Sequence, residues 1–288
     1  MLSWHNNLKK QWPEPRPIPW RILAIIDWIT TGSSLFSAKF DVVLLYHSIG
    51  GISGANYKWD LPTKTFYKQI KTLDSRFEIV DLEQMVKQPL TDRKRVAITF
   101  DDGFRNVFEN AIPILKRFDA PATIFCSSSY INDGNLNRFR RHHNIDQNAD
   151  DIVMTDEQIQ RLVEDPLFTI GNHTATHPDL TTVTDKKTLK NEIEGGKQAL
   201  EDQFGITVDR FAYPYGKFDH TAADIITDTH KIAVTSEPSL LKSDRNPHQL
   251  PRIGGCQPAS VLCFEASDIS HQLRTIARQI GSVPRGLI

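Results

Sequence analysis

Short apolar runs alternate with amphipathic segments along most of the chain after residue 37. The run 41–47 is apolar at nearly every position, which is typical of a strand in a parallel sheet that is covered on both faces. Further strands are predicted at 77–80, 95–100, 122–126, 167–172, 208–213 and 232–234. Apolar positions at the spacing of one helix face predict the helices between them. These helices cover 65–74, 81–86, 105–118, 155–164 and 186–204.

This alternation predicts an α/β fold of parallel β/α units, and a distorted (β/α)7-type barrel accounts best for the order. Pro113 falls inside a helix and is expected to kink or restart it. Thr155 is expected to cap the helix that follows it. The polar segment 132–151 interrupts the pattern and is interpreted as a surface insertion, at the rim of a binding groove.

Residues 1–37 do not follow the β/α pattern. They are interpreted as an N-terminal extension ahead of one domain over 38–288. The apolar stretch 18–36 is interrupted by two charged residues, so neither a membrane span nor a secretion signal is expected. Two interpretations stay open for this stretch. It is either a helix packed on the domain, since surface helices usually bury such an apolar stripe, or a peripheral membrane contact.

The composition narrows the class of protein. The net charge of −1 provides no basic field, which argues against non-specific nucleic-acid binding. Cys126, Cys256 and Cys263 have no metal-type spacing and favour a reducing compartment over a disulfide framework. With no export signal, this predicts a cytoplasmic protein, with membrane association as an alternative. The oligomeric state is left open.

Polar or ionisable side chains follow four of the predicted strands. They are His47, the pair Asp101–Asp102, His173 and the turn 213–215. In parallel β/α folds the carboxyl ends of the strands meet at one edge, where active sites form. The sequence therefore predicts that these groups share one site.

Two of these groups are suited to holding a metal ion. Asp101 and Asp102 precede Gly103, and a turn through glycine lets both carboxylates face one site, where a cation offsets their repulsion. His173 and His177 are four residues apart, so their imidazoles converge and, with Asp102, form a two-histidine, one-carboxylate ligand set. The alternatives are a helix-capping aspartate pair and two surface histidines.

Three segments together resemble known motifs. Thr99-Phe-Asp-Asp-Gly103, His173-Thr-Ala-Thr-His177 and Phe211-Ala-Tyr-Pro-Tyr-Gly216 are similar to the motifs of the polysaccharide deacetylases, carbohydrate esterase family four, with the NodB-homology fold. Their order and spacing agree over roughly residues 41 to 255. The resemblance implies a metal-dependent hydrolase that removes N-acetyl groups from a sugar, a polysaccharide or a glycolipid precursor.

The resemblance also implies roles for individual residues. Asp101 is then the general base, and Asp102, His173 and His177 hold one divalent ion, zinc first, with nickel, cobalt and iron open. The backbone N–H of Tyr215 faces the oxyanion. The rings of Tyr213 and Tyr215 either stack on sugar faces or pack in the ordinary way.

The sequence departs from the family pattern in its third motif. Many members have an arginine, which orients the catalytic aspartate, where this chain has Ala212. Arg252 is the first candidate to supply that charge from another strand end, with a surface ion pair as the alternative. Arg210 is the second candidate, although it is expected to face outward.

A second departure concerns the general acid, which the family places in a Leu-x-His motif near the end of the chain. Here Leu45-Tyr-His47 fits the motif, as in a branch of the family that carries it at the N-terminus. His47 is therefore the expected acid, with His248, His271 or a purely structural His47 as alternatives. Solvated positions are expected for the remaining histidines, His5, His142, His143, His220 and His230.

Two other functions remain as alternatives. One is a catalytically silent carbohydrate-binding protein with the same fold, for which the missing arginine is the only support. The other is a metal-dependent amidase acting on a small non-sugar amide, because the motifs describe only the reacting centre.

Overall fold

The structure is a computed structural model that describes residues 41–52, 57–90, 94–133, 136–146, 152–258 and 262. The chain divides into two compact units, one formed by 39–257 and the other by 1–38 together with 258–288. The strands, helices and site described below lie in the first unit. The stretch 18–36, His5, Cys263 and His271 lie outside the described residues, so the predictions made for them, and the proposed domain boundary at 37, stay predictions.

Parallel strands organise this unit. They are β1 Val42–Tyr46, β2 Ser48–Ile49, β3 Asp60–Leu61, β4 Glu78–Ile79, β5 Arg95–Phe100, β6 Ala122–Cys126, β7 Phe168–Asn172, β8 Arg210–Ala212, β9 Ile232–Val234 and β10 Ile253–Gly254. The main sheet has the order β10-β1-β5-β6-β7-β8-β9, with β4 beside β5, while β2 and β3 pair with each other. The ladders named here are all parallel.

The sheet curls, and the segment 247–254 connects its two ends. Leu250 lies beside β9, where its backbone N–H donates to the oxygen of Ala233 and its oxygen accepts from Thr235. Three residues later, β10 begins and pairs with β1. The predicted α/β fold with a distorted (β/α)7-type barrel is confirmed.

Helices cover the sheet. They are α1 Thr63–Arg76, α2 Leu82–Lys87, α3 Ile112–Arg117, α4 Leu136–His143, α5 Asp156–Val163, α6 Lys186–Lys190, α7 Gly196–Phe204 and α8 His220–Thr229. Two predicted helices are each divided by a π-helical turn. Val107–Ala111 is π-helical and α3 restarts just before Pro113, as expected, while Asn191–Gly195 separates α6 from α7. Thr155 caps α5, because its hydroxyl accepts from the backbone N–H of Gln158.

The strands are apolar because both of their faces are covered. Every residue of β1, β5 and β6 is buried. Val43, Ala97, Phe125 and Val234, which come from four different strands, belong to one core cluster. Burial of a side chain of valine size contributes on the order of 1.5–3 kcal/mol, so this cluster fixes the strands and the positions of their ends.

The interpretation of 132–151 as a purely surface insertion is wrong for the part that is described. Residues 136–143 form α4, whose Phe139 and His143 are buried. The ring of Phe139 packs against Phe104 and Tyr130, with centroids 5.2 and 5.0 Å away. Leu136, Phe139 and His143 have the i, i+3, i+7 spacing of one helix face, but the charged residues between them obscure this pattern in the sequence.

Within the described part of the chain, no helix combines the length and the apolar character that a membrane crossing requires.

Candidate active site

The carboxyl ends of four strands deliver the predicted groups to one place. Asp101 and Asp102 follow β5, His173 follows β7, Tyr213 follows β8 and His47 follows β1. Ligand atoms of Asp102, His173 and His177 all lie within 4.8 Å of one another, and all three residues are buried. The structure therefore brings together the residues that the sequence predicts as metal ligands.

One oxygen of Asp102 faces both histidines. Asp102 Oδ1 lies 3.4 Å from His177 Nε2 and 3.6 Å from His173 Nε2, and the two Nε2 atoms are 3.0 Å apart. Two imidazole nitrogens bound about 2.0–2.1 Å from one zinc ion lie about 3 Å apart. Asp102 Oδ1 is buried and has no hydrogen-bond partner among the described residues. The three side chains therefore fit a divalent cation.

Backbone contacts aim the histidines. His173 Nδ1 lies 2.7 Å from the carbonyl oxygen of Ala212, so it donates there and leaves Nε2 directed at Asp102. Burial lowers the pKa of both His173 and His177, which favours the neutral, ligating form. Asp102 and His177 adopt positive φ values of 74° and 54°, which are uncommon for residues other than glycine.

The π-helical turn before α7 holds the ligand loop. The backbone oxygen of Glu192 accepts from Ala175, and its carboxylate accepts from the backbone N–H and the hydroxyl of Thr176 at 2.8 and 2.7 Å. A Cβ added at Gly196 would lie 2.7 Å from backbone atoms of Thr174 and Ala175. Such close approach allows only glycine at this position, which sequence spacing does not reveal.

Arg252 is paired with Asp101. Its Nη1 and Nη2 donate to the two oxygens of Asp101 at 2.7 Å each, and its Nε donates to the backbone oxygen of Thr235. Arg252 is fully buried, so it does not form the surface ion pair considered as an alternative. It directly precedes β10 instead of following a strand, and its long side chain reaches the site.

Arg210, the other candidate, is also buried, so the expectation that it faces outward is wrong. Its guanidinium pairs with Glu83 and Asp209, each at 3.4 Å. Successive side chains of a strand point to opposite faces of the sheet, so the side chain of Arg210 lies on the face opposite Phe211, where it meets Glu83 of α2.

The two aspartates differ in their surroundings. Burial acts to raise the pKa of Asp101, but the charge and hydrogen bonds of Arg252, together with His173 and His47, outweigh it, and the pKa of this carboxyl is lowered. Burial and the neighbouring Asp101 carboxylate raise the pKa of Asp102 well above its ordinary value. Asp101 is thus ionised without a bound metal ion, because Arg252 is its partner, whereas Asp102 needs a nearby cation to stay ionised.

His47 lies at the same edge, with Nε2 3.9 Å from Asp102 Oδ2. Its ring stacks on Trp59 with centroids 5.9 Å apart. Burial lowers the pKa of His47 to about 4, and the opposing effect of Asp101 does not offset it. The ring of His47 is therefore neutral near pH 7 in the protein without a bound ion.

Tyr215 contacts the insertion. It adopts a φ of 59° in the turn after β8, and its hydroxyl lies 2.9 Å from His142 Nε2. The ring of His142 also packs on His177, with centroids 4.2 Å apart. The Tyr213 ring is buried in the core beside Phe211 and Phe218, which is ordinary packing.

Several of the predictions of solvated histidines are wrong. His143 is buried and its Nδ1 is 3.8 Å from Asp102 Oδ2, while His230 is buried against Phe211. His142 is partly buried, whereas His220 is exposed as expected. His248 Nε2 bonds the backbone oxygen of His230. His143 lies seven residues after the apolar Leu136 and therefore on the same helix face, and this spacing was the sequence signal that His143 faces inward.

Comparison with known proteins identifies the family. Residues 88–233, just over half of the chain, match the family model described as polysaccharide deacetylase. The chain belongs to the polysaccharide deacetylase family. The match includes Asp101, the three candidate metal ligands and Tyr215, but neither His47 nor Arg252. It confirms the resemblance and the prediction of a hydrolase that acts on carbon–nitrogen bonds other than peptide bonds.

Relatives that are named as deacetylases of polysaccharides agree with this assignment. The putative polysaccharide deacetylase YxkH of Bacillus subtilis is 26% identical over 217 residues, 73% of this chain and 70% of that protein. The poly-beta-1,6-N-acetyl-D-glucosamine N-deacetylase of Staphylococcus aureus strain MRSA252 is 23% identical over 65% of this chain. The aligned part spans 63% of that enzyme, slightly less than two thirds of its length.

The Streptococcus pyogenes deacetylase PplD, in complex with acetate, has a TM-score of 0.65 at 22% identity, over 81% of this chain and 100% of that chain. IcaB from Ammonifex degensii has a TM-score of 0.63 at 22% identity, over 80% and 97%. At this identity the structures establish a shared fold.

Proposed function

We propose that the protein is a metal-dependent deacetylase that removes N-acetyl groups from an N-acetylated sugar, in a polysaccharide or a glycolipid precursor. The observation that supports this most directly is the buried pairing of Asp101 with Arg252, beside the Asp102–His173–His177 set. A protein that only binds carbohydrate has no need of either arrangement. The S. aureus relatives, named for acting on poly-β-1,6-N-acetylglucosamine, support N-acetylglucosamine as the sugar.

Asp102, His173 and His177 hold the ion in this proposal. A divalent ion bound there supplies Lewis-acid polarisation of the acetyl carbonyl and lowers the pKa of water. Zinc suits two imidazoles and one carboxylate, and nickel, cobalt and iron suit them as well. The positive charge also keeps Asp102 ionised against the burial and repulsion that raise its pKa.

Asp101 acts as the general base. Its pKa is lowered, so the carboxylate is ionised and able to accept a proton at neutral pH. Arg252 holds both oxygens in one orientation, because a guanidinium matches a carboxylate in two parallel hydrogen bonds. Arg252 therefore takes the part of the arginine that is missing at Ala212, although it comes from another strand.

His47 and Tyr215 complete the proposed machinery. His47 delivers a proton to the leaving nitrogen, which departs poorly unless it is protonated. The negative charge that develops on the substrate raises the pKa of His47, so the ring takes up a proton from solvent and then passes this proton to the leaving nitrogen. The backbone N–H of Tyr215 donates to the oxyanion. Tyr215 lies in the turn after β8, and its positive φ sets the direction of this N–H.

Acetate release tests the proposal. We expect purified protein to release acetate from N-acetylglucosamine oligomers or N-acetylated glycolipids with added Zn²⁺, and to lose this activity with a chelator. Asp101→Asn is expected to lose ~10²–10⁴-fold in turnover while retaining the metal. Glycan binding without acetate release under any metal indicates the silent binding protein, and turnover of small non-sugar amides alone indicates the amidase.

Variants in the same assay test the acid. His47→Ala is expected to reduce turnover strongly with unchanged metal content, whereas His248→Ala and His271→Ala have little effect. Loss of activity in His271→Ala with retention in His47→Ala assigns the acid to the C-terminal position instead. A cytoplasmic location and a peripheral membrane contact through 18–36 remain part of the proposal, and fractionation of cells expressing the full chain tests both.

A further inference from the structure

The two oxygens of the ligand carboxylate Asp102 have different neighbours. Oδ1 faces His173 and His177, at 3.6 and 3.4 Å. Oδ2 faces His143 Nδ1 at 3.8 Å and His47 Nε2 at 3.9 Å. A carboxylate with its second oxygen free can rotate and bind an ion through both oxygens, which changes the number of positions left for substrate. Whatever holds Oδ2 therefore matters for the ion.

The ring of His143 is fixed on several sides. It is buried, and its centroid lies 4.2 Å from Phe139, 5.2 Å from Phe104 and 5.6 Å from Tyr57. An apolar side chain would suit these aromatic surroundings better, because burial of a polar ring costs free energy that few contacts here offset. A polar residue kept at such a position suggests a role other than packing.

The hydrogen-bond partners select one tautomer of His143. Nδ1 lies 3.2 Å from the Tyr57 hydroxyl, and Nε2 is buried without a partner among the described residues. A buried N–H without an acceptor is rarer than an acceptor without a donor, so the proton belongs on Nδ1. This N–H donates to the oxygen of Tyr57 and points to the side where Asp102 Oδ2 lies.

We infer that His143 is a positioning residue, which holds Oδ2 of Asp102 so that the carboxylate binds the ion through Oδ1 alone. The inference rests on the proposed metal site. A hydrogen bond requires the 3.8 Å separation to shorten by about 1 Å.

The test is Zn²⁺ affinity, measured on the full chain by competition with a colorimetric chelator. His143→Leu keeps the size and suits the aromatic surroundings but removes the donor, and we expect ~10–100-fold weaker Zn²⁺ binding. His143→Asn places an amide N–H near the former Nδ1, so it is expected to recover most of the affinity. The Tyr57 hydroxyl competes with Asp102 Oδ2 for the same N–H, so Tyr57→Phe is expected to bind Zn²⁺ at least as tightly as the parent.

Controls separate this role from a structural one. The melting temperature of the metal-free protein is expected to stay the same or rise in His143→Leu, and His248→Leu is expected to bind Zn²⁺ as the parent does. If His143→Leu binds Zn²⁺ as tightly as the parent while Asp102→Ala does not bind it, the inference is overturned and the proposed metal site stands. If the parent binds none of Zn²⁺, Ni²⁺, Co²⁺ and Fe²⁺, the proposed metal site fails as well.

Discussion

At the scale of single residues, the site depends on pairs that come from distant parts of the chain. Asp101 and Arg252 are separated by 151 positions, and their side chains make two hydrogen bonds of 2.7 Å. The ion pair lies out of solvent, where removal of one partner leaves an uncompensated charge. Arg252 therefore favours the ionised form of Asp101.

Replacement of Arg252 is expected to change the pH profile as well as the rate. Arg252 lowers the pKa of Asp101, and burial acts to raise it. The base works only when ionised, so Arg252→Ala should move the acidic limb of the profile of kcat/KM to higher pH. Arg252→Lys should recover the charge but not the two parallel hydrogen bonds, which gives an intermediate rate.

The matched control is Arg210→Ala, which removes another buried arginine that pairs with other acids. It should reduce stability without moving the acidic limb. An acidic limb that stays at the parent pH in Arg252→Ala would show that Asp101 is not the base.

At the scale of elements, α7 and the π-helical turn before it support the ligand loop 173–177. Gly196 lies where the helix and the loop touch, while a Cβ at the adjacent Gly195 would meet nothing within 4 Å. The two glycines thus form a natural comparison, because both have helical backbone angles.

Gly196→Ala is expected to displace the loop and to weaken Zn²⁺ binding by about tenfold or more, because misplaced ligands lose affinity. Gly195→Ala should leave Zn²⁺ binding unchanged and stabilise the helix by roughly 0.5–1 kcal/mol. Chelator competition and thermal unfolding measure the two effects. Equal Zn²⁺ affinity in both variants would show that metal binding does not depend on the close approach of Gly196 to the ligand loop.

The elements also mark how far the sequence predicts the structure. The seven predicted strands match β1 and β4 to β9 to within two residues at each end, because a strand covered on both faces is apolar throughout. The two-residue strands β2, β3 and β10 were not predicted. The helix α4 was missed, since arginines and histidines dominate its composition and its buried stripe is narrow. With it, the sequence analysis missed His143 and the contact of His142 with Tyr215.

The candidate ligands were predicted because their spacing within each motif is local. Arg252 was chosen only as one of two candidates, since no spacing relates it to Asp101 and the sheet must close before the two meet. The Gly196 contact and the second oxygen of Asp102 depend on distances of a few ångströms, which no residue pattern encodes.

At the scale of the whole molecule, a second buried ion pair lies at the opposite ends of the strands. Asp41 precedes β1 and accepts from Arg95 Nη2 at 2.6 Å and from Arg245 Nη1 at 3.2 Å. Arg95 begins β5 and Arg245 lies in the segment before β10. In barrels of this kind the amino-terminal ends of strands serve stability and the carboxyl ends serve catalysis.

Asp41→Asn is therefore expected to lower the free energy of unfolding by roughly 3–5 kcal/mol, because the buried Arg95 and the partly buried Arg245 lose their counter-charge. Zn²⁺ affinity at a temperature where the variant is folded should be unchanged. Lys116→Ala removes an exposed ion pair with Asp165 and should cost under about 1 kcal/mol. Denaturant unfolding compares the three proteins, and a loss in Asp41→Asn no larger than in Lys116→Ala would contradict this account.

The closing segment 247–254 has a consequence for the order in which the enzyme becomes competent during synthesis. The candidate metal ligands all precede residue 178, whereas Arg252 emerges from the ribosome more than 70 residues later. A nascent chain can thus assemble the ligand set while Asp101 still lacks its guanidinium partner. Under the proposed function, catalytic competence then arrives only with the last strand of the sheet, so an interrupted translation product is expected to bind the ion without releasing acetate.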